Sequence, residues 1–358
     1  MPQRTLSVTL LSLVLLTGLT NSVAATWLDK WSQMVLQPSN IRASLPPLEF
    51  TATPSPSAAT MTYFNAYGLH TTEHLHRFGT FTSGQFELAA HMYLPASPRA
   101  TVILMHGFFD HTGTIAQTIH HLLDQGYAVA AYDMPGHGLS SGQAAHIEDF
   151  ADYHQSLDDF IRLCQQHMPP PYHALAHSTG AAVVTTHLLT EPAKRDLDKV
   201  ILVAPLVRSA FWHLSAASAN FFDIFMDAVP RVFRQNSSDE AFLESVRADP
   251  LQAHQTSFEW MDALVAWNER IAKYPPSDKP LLIIQGDQDS IVDWDYNLEF
   301  LREKFPNAAV AMVPGGKHQL FGEQLKVRRQ VYQFIDAELN SARAIPAERK
   351  VTAQAGDS

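Results

Sequence analysis

The stretch YHALAHSTGAAVV, residues 172–184, places a serine where a strand-like apolar run changes into an apolar helical pattern. A strand, a sharp turn and a helix around a serine are typical of a nucleophile elbow, which exposes the hydroxyl at the edge of a sheet. The turn requires small residues two positions to either side, and Ser178 has Ala176, where glycine is usual, and Gly180. Serine is also a favoured helix N-cap, so a helix cap is the alternative interpretation. These residues alone do not decide between the two.

The sequence on both sides of this stretch predicts an α/β fold with a mostly parallel twisted sheet flanked by helices. Helical patterns separate most of a series of short β-rich runs, namely TVILMH, YAVAAYD, YHALAH, KVILVAP, PLLIIQGD and AAVAMVP. Two earlier runs, EHLHRFGTF and FELAAHMYLP, are joined by a Ser-Gly turn and predict a leading antiparallel hairpin. Consecutive parallel strands need a long return path, so the alternation predicts right-handed crossovers through helices. The predicted core covers residues 61–205 and 276–340.

One connection is much longer than a crossover needs. About 75 residues, rich in aromatic and helix-forming side chains, separate KVILVAP from PLLIIQGD, the sixth and seventh strand-like runs. A structureless loop of that length is uncommon inside a compact domain. We therefore predict a helical cap over residues 206–275, inserted between the sixth and seventh strands.

Both ends of the chain differ from the predicted core. Residues 1–25 contain one charge, Arg4, followed by an apolar run and small residues, a pattern typical of a cleaved signal peptide. An uncleaved N-terminal anchor is the alternative, because the run is only slightly shorter than a membrane-spanning helix. Residues 26–60 are rich in proline and serine and predict an extended connector, and residues 341–358 predict a polar tail. The expectation is export, to the periplasm or the medium if the source is bacterial, or anchoring at a membrane.

Composition argues against several classes of function. The net charge of −11 over 358 residues disfavours a nucleic-acid partner, which would need a clustered lysine and arginine surface. The single cysteine, Cys164, excludes an intramolecular disulfide. The 18 histidines form no HExxH motif and no Cys/His pairing, so the sequence predicts no metal site and no cofactor.

A serine nucleophile needs a histidine base and an orienting carboxylate, and the sequence supplies candidates for both. The acid is expected just after a late strand, where LLIIQGDQDSIVD offers Asp287, Asp289 and Asp293. Asp289 is preferred because it follows Gly286 by three residues and precedes an Ile-Val pair that can tuck under the sheet. Turn and helix-cap chemistry is the alternative role for the other two acids. His318 is preferred among the histidines because it follows the last strand and a Gly-Gly turn in AAVAMVPGGKHQLFGE.

Backbone N–H groups that could stabilise an oxyanion can also be placed. A His-Gly turn after the first parallel strand, in TVILMHGFFDHTG, can aim the N–H of Phe108 at the same site. Thr179 offers a second N–H from the start of the helix after Ser178, where unpaired donors and the helix dipole favour negative charge. The expected site is therefore one for acyl transfer.

Five ordered motifs carry a resemblance to a known family. HGFFDHTG, DMPGHGLSSG, AHSTGAAVV, QGDQDSIVD and GGKHQLFGE resemble the α/β-hydrolase superfamily in order and spacing, and most closely its monoacylglycerol lipase and lysophospholipase branch. The resemblance covers roughly residues 70–340 and implies the α/β-hydrolase fold, with the cap as a lid. It implies Ser178 as the nucleophile, Asp289 as the orienting acid and His318 as the general base and acid. The two amides described above are implied as the oxyanion hole.

The resemblance also implies a substrate class. A lipid-like monoester, a monoacylglycerol or a lysophospholipid, is expected, and peripheral contact with a membrane through the cap or the N-terminal segment is expected with it. A short-chain carboxylesterase, an aminopeptidase or acyltransferase, and a catalytically silent binding module remain alternatives on the same scaffold. Aromatic residues of the cap could line an acyl tunnel, although packing of the cap on itself is the alternative for most of them. The residues predicted to contact substrate are Phe109, His177, Phe211, Trp212 and Phe225.

Overall fold

The computed structural model describes residues 38–52, 55–190, 196–210, 212 and 228–341 of the chain. The predicted signal peptide lies outside the described residues, and so does the predicted polar tail apart from its first residue. Within the described ranges, no helix is both long enough and apolar enough to cross a membrane.

The described residues form ten strands and nine α-helices. The strands are β1 (Leu75–Ser83), β2 (Phe86–Leu94), β3 (Thr101–Met105), β4 (Ala128–Tyr132), β5 (Tyr172–His177), β6 (Val200–Val203), β7 (Ala228–Pro230), β8 (Gln255–Ser257), β9 (Leu282–Gly286) and β10 (Ala309–Val313). The helices are α1 (Pro38–Ser44), α2 (Ala58–Tyr67), α3 (Ala116–Asp124), α4 (Phe150–His167), α5 (Thr179–Thr190), α6 (Glu240–Ala248), α7 (Phe258–Lys273), α8 (Trp294–Lys304) and α9 (Leu325–Asn340).

Eight of the strands form one mostly parallel sheet, in the order β1-β2-β4-β3-β5-β6-β9-β10. β1 pairs antiparallel with β2, and β2 pairs antiparallel with β4, whereas every pair from β4 to β10 is parallel. The strands β3, β4, β6 and β9 are buried along their whole length, as expected for parallel strands covered on both faces. The predicted fold class, including the leading hairpin, is confirmed.

The long connection lies between β6 and β9, which are the sixth and seventh strands of this sheet, and it contains α6 and α7. It also contains β7 and β8, which pair as an antiparallel ribbon that the sequence did not predict. Strands of three residues are too short to show a period of two. The helix α7 docks on the core, because Trp267 is buried and its Nε1 donates a hydrogen bond to Thr186 Oγ1 on α5 at 2.7 Å.

Part of the predicted connector is folded rather than extended. It contains α1, on which the Arg42 guanidinium donates a hydrogen bond to the carbonyl oxygen of Gly138 at 2.9 Å. Further along, the N–H of Leu48 donates to the carbonyl oxygen of Thr80 on the edge strand β1 at 2.8 Å, and α2 also begins inside the predicted connector. The prediction of an extended connector was wrong for these residues. Their structure depends on contacts with distant residues, and such contacts leave no periodic signal in a short segment.

The parallel strands bring the predicted site residues to one edge of the sheet. Phe108, Ser178, Asp289 and His318 follow the carboxyl ends of β3, β5, β9 and β10 respectively. In open α/β sheets, the crevice outside these carboxyl ends is where ligands bind. The fold therefore collects four distant motifs in one place.

Candidate active site

Ser178 lies on a sharp turn between β5 and α5, as a nucleophile elbow requires. Its φ angle of 50° is in the left-handed region, which residues other than glycine rarely adopt. Gly180 allows the close packing of this turn, since a Cβ at that position would lie 2.6 Å from the carbonyl oxygen of His106. Ala176 is fully buried on β5, so the elbow accepts alanine where glycine is usual.

Hydrogen bonds join Ser178, His318 and Asp289. Ser178 Oγ lies 3.0 Å from His318 Nε2, and His318 Nδ1 lies 2.8 Å from Asp289 Oδ2. An ionised carboxylate can only accept, so the imidazole carries its proton on Nδ1, and Nε2 accepts from the serine hydroxyl. Such an arrangement can take the proton from an attacking serine and stabilise the imidazolium that results.

Three further residues fix the Asp289 carboxylate. Its Oδ1 accepts hydrogen bonds from the N–H groups of Ile291 and Val292 at 2.8 and 3.2 Å, and its Oδ2 accepts one from Gln285 Nε2 at 3.1 Å. Burial tends to raise the pKa of Asp289, but the attraction of His318 and these hydrogen bonds outweigh burial and lower the pKa below its ordinary value. The carboxylate therefore stays ionised at neutral pH.

The other two candidate acids occupy different positions in the same loop. Asp287 Oδ1 accepts a hydrogen bond from the N–H of Gly315 at 2.7 Å, so this carboxylate links two turns. Asp293 is at the N-cap position of α8. Asp287 therefore has the turn role that was its alternative, whereas Asp293 occupies the cap position without a side-chain cap hydrogen bond. Asp289 is the acid beside His318.

The loop after β3 packs directly against the elbow. A Cβ on Gly107 would lie 3.1 Å from the Cβ of Ser178, a closer approach than nearly all other residues tolerate. Phe109 has a φ angle of 69°, so the chain turns sharply just after Phe108. Thr179 is the first residue of α5, and the first N–H groups of a helix have no acceptor within it. Both predicted oxyanion donors therefore border Ser178.

A cavity of about 300 Å³ adjoins Ser178 and His318. The core loops form one side of it, and α6 and α7 of the cap form another. The apolar part of its wall includes Phe108, Phe109, Trp212, Trp260, Leu264 and Val292. Trp260 of α7 stacks on Phe108 with ring centroids 3.8 Å apart, so the cap touches the oxyanion loop itself.

The structure brings two of the predicted substrate contacts, Phe109 and Trp212, to the wall of this cavity. Phe211 and Phe225 lie outside the described residues. His177 is elsewhere: it is buried, and its ring packs against Phe321 with centroids 5.6 Å apart rather than lining the cavity. His177, the last residue of β5, therefore contacts the loop that contains Phe321 instead of the cavity.

His177 holds the backbone of His318 through a hydrogen bond, a role the sequence did not predict. Its Nε2 lies 3.0 Å from the carbonyl oxygen of His318, and burial lowers the pKa of His177 to about 4, so the ring is neutral and donates this bond. Next to His318, Gln319 Nε2 donates to Asp110 Oδ2 at 2.8 Å, which ties the histidine loop to the oxyanion loop. The only sequence signal for His177 was its place beside Ser178.

Comparison with known proteins agrees with this geometry. A family model described as serine aminopeptidase, S33, matches residues 96–325, which is more than half of the chain. The chain belongs to the serine aminopeptidase S33 family. It is a serine hydrolase with the α/β-hydrolase fold.

Two curated relatives and one solved structure show which proteins this S33 chain resembles. It is 26% identical over 281 residues to a probable lysophospholipase L2 of Haemophilus influenzae, covering 70% of this chain and 87% of the relative. It is 25% identical to the monoglyceride lipase of Rattus norvegicus, covering 74% and 90%. The structure of a soluble variant of monoglyceride lipase from Saccharomyces cerevisiae, solved with a substrate analog, matches with a TM-score of 0.62 at 19% identity. The match covers 73% of this chain and 94% of the yeast chain, and it shows a shared fold. The resemblance stated from the motifs is confirmed.

One cluster in the described part of the S33 chain has residues of the types that bind metals: His154, Asp158 and His187. Hydrogen bonds account for it, since His187 Nδ1 lies 2.7 Å from Asp158 Oδ1 and its Nε2 lies 3.0 Å from Asp196 Oδ1. Burial lowers the pKa of His187, but the hydrogen bonds and charges of the two carboxylates outweigh burial and raise it to about 9. An imidazolium between two carboxylates therefore links α4 to α5.

We expect His187→Gln to lower the free energy of unfolding by roughly 2–3 kcal/mol at pH 6. The folded pKa of about 9 lies above the unfolded value of about 6.5, so this stabilisation is complete below pH 6.5 and disappears as the pH rises through 9. Urea unfolding of the wild type and the variant across pH 6–9.5 measures the difference. The exposed His70→Gln serves as the control, and a difference for His187→Gln that grows with pH would contradict the assignment.

Proposed function

We propose that this serine hydrolase cleaves the carboxylic ester of a lipid-like monoester, a monoacylglycerol or a lysophospholipid, through Ser178, His318 and Asp289. The observation that carries the proposal is the unbroken hydrogen-bonded path from Ser178 Oγ through His318 to Asp289, at 3.0 and 2.8 Å, on the wall of a largely apolar cavity. The names of the two curated relatives support the same substrate class.

In the proposed reaction, Ser178 Oγ attacks the ester carbonyl carbon while His318 Nε2 takes the hydroxyl proton. The N–H groups of Phe108 and Thr179 stabilise the oxyanion of the tetrahedral intermediate. His318 then gives its proton to the leaving alcohol, which leaves an acyl group on Ser178. Water attacks this acyl-enzyme, His318 accepts the water proton, and collapse of the second intermediate returns the proton to Ser178 and releases the acid.

The cavity favours an acyl chain over a small acyl group. Its wall combines Trp212, Trp260 and Leu264 of the cap with residues of the core loops, so a bound chain would bury its methylene groups among apolar side chains. Val232 also borders the cavity and is 75% exposed, a position from which it could contact a lipid surface. These features support a substrate drawn from a lipid phase.

The family description raises an aminopeptidase as a second candidate, and the described part of the cavity wall gives it less support than the lipid ester. An aminopeptidase binds a free α-amino group, which is cationic at neutral pH and calls for a carboxylate. None of the described residues that line the cavity is an aspartate or a glutamate. The ester of a lipid has no such requirement.

We expect kcat/KM to rise with acyl-chain length in a series of p-nitrophenyl and glycerol esters from two to sixteen carbons. Each methylene buried in the cavity should contribute about 0.8 kcal/mol, which is about fourfold in kcat/KM, until the chain fills the cavity. Initial rates on monomeric substrate, with Ser178→Ala as the background, measure the profile. A maximum at two to four carbons would contradict the lipid substrate and favour a short-chain carboxylesterase.

A further inference from the structure

The cap helix α7 contacts both elements that carry the candidate oxyanion donors. Near the start of this helix, Trp260 stacks on Phe108, with ring centroids 3.8 Å apart and an angle of 23° between the ring planes. Further along, Trp267 Nε1 donates a hydrogen bond at 2.7 Å to Thr186 Oγ1 on α5, the helix that begins at Thr179. One helix of the cap therefore touches both halves of the predicted oxyanion hole.

The two contacts lie on one face of α7. Trp260 and Trp267 are seven residues apart, which is close to two turns of an α-helix and about 10.5 Å along its axis. Thr179 and Thr186 have the same spacing on α5. The hydrogen bond at Thr186 therefore restrains α5 two turns after the N–H of Thr179, while the stacked ring restrains the oxyanion loop at the start of α7.

The core holds α7 independently of the oxyanion loop. Asn268 Nδ2 donates to the carbonyl oxygen of Val207, in the segment after β6, at 3.0 Å. Arg270 Nη1 donates to Asp149 Oδ2, at the N-cap of α4, at 2.7 Å. The second half of α7 makes these contacts, so the position of Trp260 follows from the core and does not depend on the loop that its ring covers.

The oxyanion loop has a backbone conformation that depends on its surroundings. Phe109 has a φ angle of 69°, and residues other than glycine keep such a conformation only where neighbouring contacts hold them. The N–H of Asp110 donates to the carbonyl oxygen of Gly107 at 3.1 Å, so Phe108 lies inside a tight turn. The ring of Trp260 covers Phe108 itself, and it therefore restrains the residue that would supply the N–H.

The two tryptophans differ in their relation to the cavity. Trp260 belongs to the cavity wall, so contact with an acyl chain is the alternative role for it. Trp267 does not line the cavity: it is 1% exposed, and its indole N–H is bonded to Thr186. Trp267 can thus affect the reaction only through the position of the elements that it packs against. Together the two residues separate positioning from substrate contact.

Resting on the proposed function, we propose that Trp260 and Trp267 are positioning residues that hold the N–H groups of Phe108 and Thr179 at the separation that the oxyanion requires. The cap then contributes to the chemical step as well as covering the cavity. Oxyanion donors are effective when they are directed at the developing charge before the reaction begins. A displacement of about 1 Å can lower a rate about 100-fold. Loss of either contact should therefore weaken binding of the tetrahedral intermediate more than binding of the substrate.

The test compares two decyl inhibitors that differ in their use of the oxyanion hole. The carbonyl carbon of decyl trifluoromethyl ketone forms a bond with Ser178 Oγ, its carbonyl oxygen becomes an oxyanion, and His318 Nε2 takes the hydroxyl proton. 1-O-Decylglycerol is an ether that Ser178 cannot attack, so it reports binding of the chain and the glycerol alone. Both inhibition constants are measured against hydrolysis of p-nitrophenyl octanoate. The ratio of the constant for the ketone to that for the ether isolates the contribution of the oxyanion.

We expect Trp260→Ala to raise this ratio about 10- to 100-fold and to lower kcat by a similar factor. Trp267→Phe keeps an aromatic ring but removes the N–H donor, and it should raise the ratio about three- to tenfold. Trp260→Phe can still stack on the loop and should lie within about threefold of the wild type. Trp212→Ala is the matched control, because Trp212 lines the same cavity, and it should raise both inhibition constants by the same factor.

Circular dichroism shows which variants fold. If Trp260→Ala does not fold, Trp260→Leu replaces it, because leucine keeps apolar volume without a ring. If Trp267→Phe does not fold, Thr186→Val replaces it, because valine keeps the shape of threonine without the hydroxyl that accepts the hydrogen bond.

The results separate this proposal from the one on which it rests. Equal increases in both inhibition constants for the Trp260 variants would make Trp260 a wall residue only and would overturn the proposal. An unchanged ratio in a folded Trp267→Phe or Thr186→Val protein would overturn it as well. Both results leave the esterase function standing, provided that the wild type hydrolyses the ester and binds the ketone more tightly than the ether. A folded wild type that neither hydrolyses the ester nor binds the ketone would remove the proposed function itself.

Discussion

Ser178→Ala is expected to lower kcat for ester hydrolysis by about 10⁴- to 10⁶-fold, because the three triad groups act as a unit around the nucleophile. The Oγ atom that the substitution removes is the one that lies 3.0 Å from His318 Nε2 and would form the acyl-enzyme. Any residual rate would come from the oxyanion donors and from substrate binding, which the substitution leaves in place. Initial rates with a p-nitrophenyl ester of medium chain length measure the loss.

The same variant should fold normally. The hydroxyl is small, and its neighbours Ala176 and Gly180 keep the elbow packed against the core. We expect the thermal midpoint of Ser178→Ala to lie within about 2 °C of that of the wild type, which corresponds to about 1–2 kcal/mol for a chain of this size. Turnover within tenfold of the wild-type value in a folded Ser178→Ala protein would refute Ser178 as the nucleophile.

Asp289→Asn is expected to lower kcat by about 10³- to 10⁴-fold. An asparagine amide in place of the carboxylate cannot stabilise the imidazolium, and it can turn its NH₂ group toward His318 Nδ1, which would force the imidazole proton onto Nε2. In that tautomer Nε2 no longer accepts the proton of Ser178. The loss should appear in kcat rather than in KM, because Asp289 contacts His318 and not the cavity.

The loop itself provides a matched control. Asp287 is two residues away and bonds to the N–H of Gly315, so Asp287→Asn keeps a hydrogen-bonding side chain of the same shape in the same loop. We expect Asp287→Asn to change kcat by less than about tenfold, since it has no contact with the imidazole. A larger loss of kcat in Asp287→Asn than in Asp289→Asn would identify Asp287 as the catalytic acid.

Much of this site could be predicted because its parts follow strand ends. Apolar runs are strong local signals, and the residues after them, Ser178, Asp289 and His318, fall at one edge of any parallel sheet built from those runs. The structure adds the distances between their side chains. It also explains the preference for Asp289, because the Ile291 and Val292 that followed it in the sequence hold its carboxylate through their N–H groups.

The rest could not be predicted because it depends on contacts between residues far apart in the chain. Nothing local to Gln285 or His177 indicates that one holds the acid and the other holds the histidine loop. The folded part of the predicted connector is of the same kind, since Arg42 gains its partner Gly138 only in the tertiary structure. Trp260 likewise lies on a cap helix whose stacking on the oxyanion loop has no periodic signature.

Labelling with a fluorophosphonate probe tests the central claim most directly, because the probe reacts covalently with an activated serine. The folded wild-type protein should gain one adduct, and peptide mass spectrometry should locate that adduct on Ser178, with no adduct in Ser178→Ala. Asp289→Asn should label much more slowly than Asp287→Asn. A folded wild-type protein in which Ser178 remains unlabelled, or in which another serine carries the adduct, would contradict the assignment of Ser178, His318 and Asp289 as the catalytic groups.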